Sequence, residues 1–357
     1  MTESPVLFDR AEGSSVAVAT LNRPKQLNAL TLEMCELMLA QLQSWAADDA
    51  VACVVLQGAG EKGFCAGGDV AEVIRNVRAG RENRYDYGDA FFTVEYALDL
   101  LIHTYPKPLV ALSHGVCMGG GVGLIAGASH RIFVEGSKIA MPEIHIGLFP
   151  DVGGGYFLNK MPDGMGQLMA LTGMIVSEGD AVHVGLCDYV IDSKVQSTLI
   201  DSLNSIVWIQ DVVADHLQVS AKLFDLQATR DPKSTIAPHA RKINALSKLD
   251  SVIDYRDALN ELAAREPYFT AAAKNLSQGS PTAAHVTFEY LRRAVALDIE
   301  EVLALDLILA HQFQRRHDFS EGVRALLIDK DKSPQWSPPD WRAISRGLVD
   351  AHFATKW

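Results

Sequence analysis

The stretch that most constrains the fold is the apolar run over residues 109–128, twenty residues long, with Lys107 and Pro108 just ahead of it. A run of that length is what a membrane-spanning helix requires. This one holds His114 and six glycines, and glycine costs stability inside regular structure. It therefore reads as a strand over 109–112, a tight turn, and a short buried helix over 124–129. Two similar short runs lie at 51–56 and 131–134, and a β-branched alternation at 15–21 ends at Asn22-Arg23-Pro24. Continuous apolar runs of this length, closed by turns, suit strands buried on both faces. Between them, 32–47 carries Leu32, Cys35, Leu39 and Leu42 at three- and four-residue spacing behind Thr31 as N-cap. Strands separated by helices pair mainly in parallel, so the expected class is α/β.

From about residue 193 the texture changes to long amphipathic stretches at 193–206, 253–265, 281–296 and 299–313. The last carries Val302, Leu305, Ile308 and Leu309 on one side, and Ser280-Pro281 opens a helix with a cap and a first-turn proline. A division near residue 195 follows, with a core over 1–195 and a helical region over 196–357.

Charge and composition narrow the function. The chain has 32 Lys and Arg against 44 Asp and Glu, a net charge of −12, which disfavours nucleic acid as a partner. Five cysteines without CxxC spacing do not form a disulfide framework, and the first five residues have neither signal nor transit character; both point to a cytoplasmic protein with no membrane span. The eleven histidines show no HExxH spacing. The run from Asp329 imitates a calcium loop but has Pro334 at its sixth position and Asp340 at its twelfth, so no metal is expected. There is no GxSxG elbow, and the GxGxxG match at Gly58–Gly63 runs into a second turn rather than a helix, so no nicotinamide cofactor is expected either.

Three segments carry chemistry. Cys65-Ala66-Gly67-Gly68-Asp69 precedes a helical stretch, and Met118-Gly119-Gly120-Gly121-Val122-Gly123 lies between a strand and a helix. Two backbone N–H groups at such turns, aimed at one point, make an anion site, which for a developing oxyanion is an oxyanion hole; close helix–strand packing is the simpler use of the same glycines. The third segment, residues 141–155, places Glu143 and Asp151 among apolar, glycine and proline residues. Burial there raises a carboxylate's proton affinity and prepares it for acid or base work, while a turn or cap role is the plainer alternative.

Together the three segments resemble the crotonase (enoyl-CoA hydratase/isomerase) superfamily. That resemblance implies an acyl-CoA substrate, no cofactor beyond the CoA of the substrate itself, and a spiral of ββα units with a helical C-terminal region. It implies that residues 1–195 form the acyl-CoA-binding catalytic core and that 196–357 complete the active site or make oligomer contacts. It also implies that the thioester oxygen rests on the N–H groups of Gly68 and Gly120. Hydratases of the superfamily use two glutamates, and the first of those positions is Gly123 here, while the second is Glu143. One glutamate together with Asp151 is similar to the branch that hydrolyses 3-hydroxyisobutyryl-CoA. The blocks at 58–69, 146–156, 280–282 and 317–336 match the same branch, and Glu95 matches a substrate-contacting acidic position of it. Ile144-His145 departs from the smaller residues usual after the glutamate. The expected activity is hydrolysis of a short branched 3-hydroxyacyl-CoA, with an enoyl-CoA hydratase/isomerase and a non-catalytic acyl-CoA binder as alternatives. Many relatives are trimers or hexamers and hydrolase-like members vary, which leaves homo-oligomerisation open.

Overall fold

Ten strands build the sheets of the computed structural model, which describes residues 4–228 and 232–355: β1 (Val6–Asp9), β2 (Val16–Leu21), β3 (Cys53–Gly58), β4 (Gly63–Cys65), β5 (Leu109–Ser113), β6 (Val116–Met118), β7 (His130–Val134), β8 (Lys138–Ala140), β9 (Val176–Ser177) and β10 (Tyr189–Ile191). Contacts divide the chain into two interleaved units. The first comprises Met1–Gly68, Ala97–Ile139 and Val176–Ala237, and the second Asp69–Tyr96, Ala140–Ile175 and Pro238–Trp357.

In the first unit a six-stranded sheet runs in the order β1-β2-β3-β5-β7-β10. Only β1 is antiparallel to its neighbour; the other pairings are parallel. Val16, Val18, Val55, Val110, Leu112 and Ile132 point to one face, where the helices Leu199–Asn204 and Val212–Leu226 cover them. The intervening residues are buried too, as expected of parallel strands covered on both faces. A second sheet has the order β4-β6-β8-β9 and brings Cys65 opposite Cys117, so the two glycine-rich turns that follow those residues are neighbours.

The run over 109–128 folds into a strand and a helix as expected, but the helix is Gly120–Ala126, starting four residues before the expected 124 and ending three before 129, and the short strand β6 lies between the two. Thr31 caps the helix Leu32–Ala47 by accepting from the Met34 amide (3.2 Å). The buried face of that helix is Met34, Cys35, Met38, Leu42 and Trp45; Cys35 and Leu42 are buried as expected, whereas Leu32 and Leu39 are only half-buried. β3 starts two residues later than expected because the Val51 amide closes a turn onto Asp48. The stretch over 193–206 is broken into two short helices, Ser193–Gln196 and Leu199–Asn204, where the Thr198 amide turns back to Val195.

The second unit is helical around an aromatic core. Phe149 stacks on Phe313 with ring centroids 5.5 Å apart and meets Tyr290 edge-on at 5.1 Å. Ser280 caps the helix Pro281–Ala294 as expected, accepting from the Ala283 amide. On the helix Ile299–Gln314 the buried line is Val302, Leu303, Asp306, Leu309, Ala310 and Phe313, while Leu305 and Ile308 are half-buried. The carboxylate in the middle of that line belongs to the site described next.

Candidate active site

In the first unit, Gly68 lies just before Asp69, the N-cap of the helix Val70–Arg78, and Gly120 is the first residue of its helix. The N–H of a first helical residue, here Gly120, has no acceptor within its own helix. The turns approach too closely for side chains. Gly67 has φ +96°, and a methyl on it would lie 3.1 Å from the Met118 carbonyl and 3.4 Å from the Gly120 nitrogen. A methyl on Gly121 would lie 2.5 Å from the Cys65 carbonyl oxygen. Close packing of the two turns is what these glycines permit. Position 123 is a buried glycine of the same helix, so no carboxylate comes from there.

In the second unit, Glu143 opens a 3-10 turn, Glu143–Ile146, and is 5% exposed; its Oε2 has no hydrogen-bond partner among the described residues. Burial, and then the neighbouring Asp151 charge, raise its proton affinity well above that of an ordinary glutamate. Asp151 is equally buried, and burial pushes its pKa up to about 6, against the pull of the Tyr96 hydroxyl, which donates to Asp151 Oδ2 at 2.7 Å. Tyr96 itself stays protonated, because burial and the charges of Asp151, Asp306 and Glu95 all oppose its ionisation. The donor on Asp151 favours its charged form, so Asp151 takes the first negative charge of the pair and Glu143 holds its proton to higher pH.

Glu95 is buried at 2% exposure, not an exposed helix charge, and sits next to Tyr96 on the helix Asp86–His103. The C-terminal block that begins at His317 reaches the Glu143 turn through Asp318. Its Oδ2 accepts from the Ser280 hydroxyl, and the Ser280 amide donates to the Ile144 carbonyl at 3.2 Å. His145 opens onto a groove of about 640 Å³ that Leu326, Lys332 and Trp336 also line.

The sequence reading missed Tyr96, Tyr290 and Asp306. Asp306 Oδ2 accepts from the Gly153 amide (2.8 Å) and its Oδ1 from the Tyr290 hydroxyl (2.5 Å); the Gly155 amide donates to the Tyr290 oxygen (2.7 Å). Asp306 had a local signal, an acid four residues after Val302 and three before Leu309 on an apolar helix face, where an acid requires partners. Tyr96 and Tyr290 had none beyond their apolar surroundings. Among the described residues no cluster of His, Cys, Asp and Glu could hold a metal ion, and no helix is long and apolar enough to cross a membrane.

Comparison with known proteins agrees over nearly the whole chain. A family model described as enoyl-CoA hydratase/isomerase matches residues 16–353. The zebrafish protein named "3-hydroxyisobutyryl-CoA hydrolase, mitochondrial" is 37% identical over 99% of this chain and 90% of its own length. Two solved structures superpose closely. A carnitinyl-CoA dehydratase from Mycobacterium thermoresistibile has a TM-score of 0.88 at 34% identity, covering 99% of this chain and 97% of that one. An enoyl-CoA hydratase from Rhodobacter sphaeroides has a TM-score of 0.87 at 35% identity, covering 98% and 97%. The α/β architecture with parallel sheets is the one those structures share, and the chain belongs to the enoyl-CoA hydratase/isomerase family.

Proposed function

We propose that the chain hydrolyses the thioester of a short branched 3-hydroxyacyl-CoA, of the 3-hydroxyisobutyryl-CoA type, to the free acid and CoA, the hydrolytic step of valine breakdown. The observation that carries this reading is the paired buried carboxylates Glu143 and Asp151 combined with glycine at position 123. The names of the curated relatives support it. The two solved relatives are named instead as a carnitinyl-CoA dehydratase and an enoyl-CoA hydratase. Hydration, as the superfamily's hydratases perform it, uses a second glutamate where this chain has Gly123, which offers no proton-transfer group.

In this reading the Gly68 and Gly120 amides stabilise the oxyanion of the tetrahedral intermediate. Glu143, once deprotonated, either takes a proton from water as it attacks or attacks the carbonyl itself and is released by water. Asp151 orients the water or the substrate hydroxyl and assists protonation of the departing thiolate, and Glu95 contacts the hydroxyl. The helices beyond residue 195 support the carboxylates through Tyr290, Asp306 and Asp318. The CoA of the substrate is the only CoA involved, and no metal or separate cofactor takes part. The reading keeps a cytoplasmic location, against the mitochondrial names of the curated relatives, and immunolocalisation in the source cells decides between them.

Free-thiol release from 3-hydroxyisobutyryl-CoA tests the activity. Single turnover in ¹⁸O-water reads the role of Glu143: attack by the carboxylate gives a mixed anhydride, and water opening it at the glutamyl carbonyl leaves the first product acid unlabelled and the glutamate labelled, whereas direct attack by water labels the acid and never the glutamate. The proton affinity of the pair predicts the pH profile. An isolated glutamate would lose its proton near pH ~4.3. Here burial and the Asp151 charge hold the proton on Glu143. Turnover therefore rises with pH along a limb that lies well above the ordinary carboxylate range. A limb at ordinary carboxylate pH would show that the group being deprotonated is not this buried pair.

A further inference from the structure

The turn that presents Asp151 has a backbone its own residues do not favour. Val152 has φ +52° and Gly153 φ +80°, and a β-branched residue in the left-handed region is a genuine outlier. The turn closes through the Gly154 amide to the Asp151 carbonyl (2.8 Å) and runs directly into the helix Gly154–Asn159. That helix has no side chain of its own to cap it, because its N-cap is Gly153. The cap is supplied from far along the chain. Asp306 takes the Gly153 amide, Tyr290 takes the Gly155 amide, and the two side chains are joined by the Tyr290 hydroxyl.

We propose that Asp306 and Tyr290 are positioning residues: they clamp the strained Asp151 turn and thereby aim the Asp151 carboxylate at the Tyr96 hydroxyl and the substrate. The assignment rests on the reading that Asp151 serves the hydrolysis. A strained turn persists only where its surroundings over-determine it, and a buried carboxylate engaged by two donors, one of them on the turn, is such a surrounding.

Asp306→Asn keeps the side-chain size and turns one acceptor into a donor. In the full-length protein we expect two results. Hydrogen exchange of the amides over 151–156 speeds up. The kcat for thiol release falls about tenfold with KM little changed. A lower melting temperature with kcat unmoved would reduce Asp306 to structural support and overturn the proposal. If Asp306→Asn does not fold, Tyr290→Phe tests the same clamp, since it keeps the ring and loses both hydrogen bonds; faster exchange at 151–156 with a lower kcat supports the clamp, and unchanged exchange overturns it. Wild-type protein that releases no thiol would sink the hydrolase reading, while the exchange measurement would still decide whether the clamp exists.

Discussion

Glu143→Gln is expected to lose about 10³-fold in kcat for thiol release while binding acyl-CoA with nearly unchanged affinity. The two side chains have the same shape, and Glu143 is buried with an oxygen that engages no described residue, so the amide fits without breaking a bond. What it lacks is a carboxylate that can accept a proton or attack a carbonyl. The same substitution is expected to raise the melting temperature at neutral pH. Burial and the Asp151 charge raise the proton affinity of Glu143 in the folded protein above that in the unfolded chain. Its contribution to stability is therefore fully present below the unfolded pKa near ~4.3 and is lost as pH climbs toward the folded value. Glutamine does not ionise, so the variant's advantage is largest at neutral pH and shrinks toward pH ~4. A variant with near-wild-type turnover removes Glu143 from the mechanism, and one that melts lower at neutral pH contradicts the electrostatic account.

Gly67→Ala is expected to cost about 10²-fold in kcat, the scale on which a lost oxyanion donor is felt. The methyl would stand 3.4 Å from the Gly120 nitrogen, one of the two donors of the proposed oxyanion hole. It would also force an alanine to φ +96° and press to 3.1 Å on the Met118 carbonyl, so a stability loss of about 1–3 kcal/mol accompanies the effect. The two consequences separate in the folded fraction. Activity corrected for folded protein must still fall, with acyl-CoA binding retained. Full activity per folded molecule would mean that the two glycine turns serve packing alone.

The parts legible in the sequence are those whose physics is local. Thr31 and Ser280 read as caps because a hydroxyl just ahead of an apolar-periodic run has a first-turn amide within reach, and both accept one. The glycine clusters read as turns because nothing else tolerates such density, and Glu143 and Asp151 stood out as acids in an apolar segment. What stayed hidden depends on distant partners. Tyr96 lies 55 residues from Asp151, Tyr290 lies 135 from Gly155, and Asp306 lies 153 from Gly153. No spacing rule connects such pairs. The positive φ of Val152 is hidden for the same reason, since valine argues against it locally and the surrounding structure imposes it. The partly misplaced faces of Leu32–Ala47 and Ile299–Gln314 have another cause. Periodicity scores apolar residues, whereas burial follows the neighbours, and on the second helix the buried line includes an acid.

The central claim is that one glutamate, Glu143, paired with Asp151, and glycine at the position of the hydratases' other glutamate, make this family member a thioester hydrolase. The direct measurement is to incubate purified protein with 3-hydroxyisobutyryl-CoA and, separately, with crotonyl-CoA, following free thiol and the enoyl absorbance in both. The account predicts thiol release from the hydroxy substrate and an unchanged double bond in the enoyl substrate. Loss of the double bond without thiol release would contradict it, and would mean that hydration proceeds with glycine at position 123.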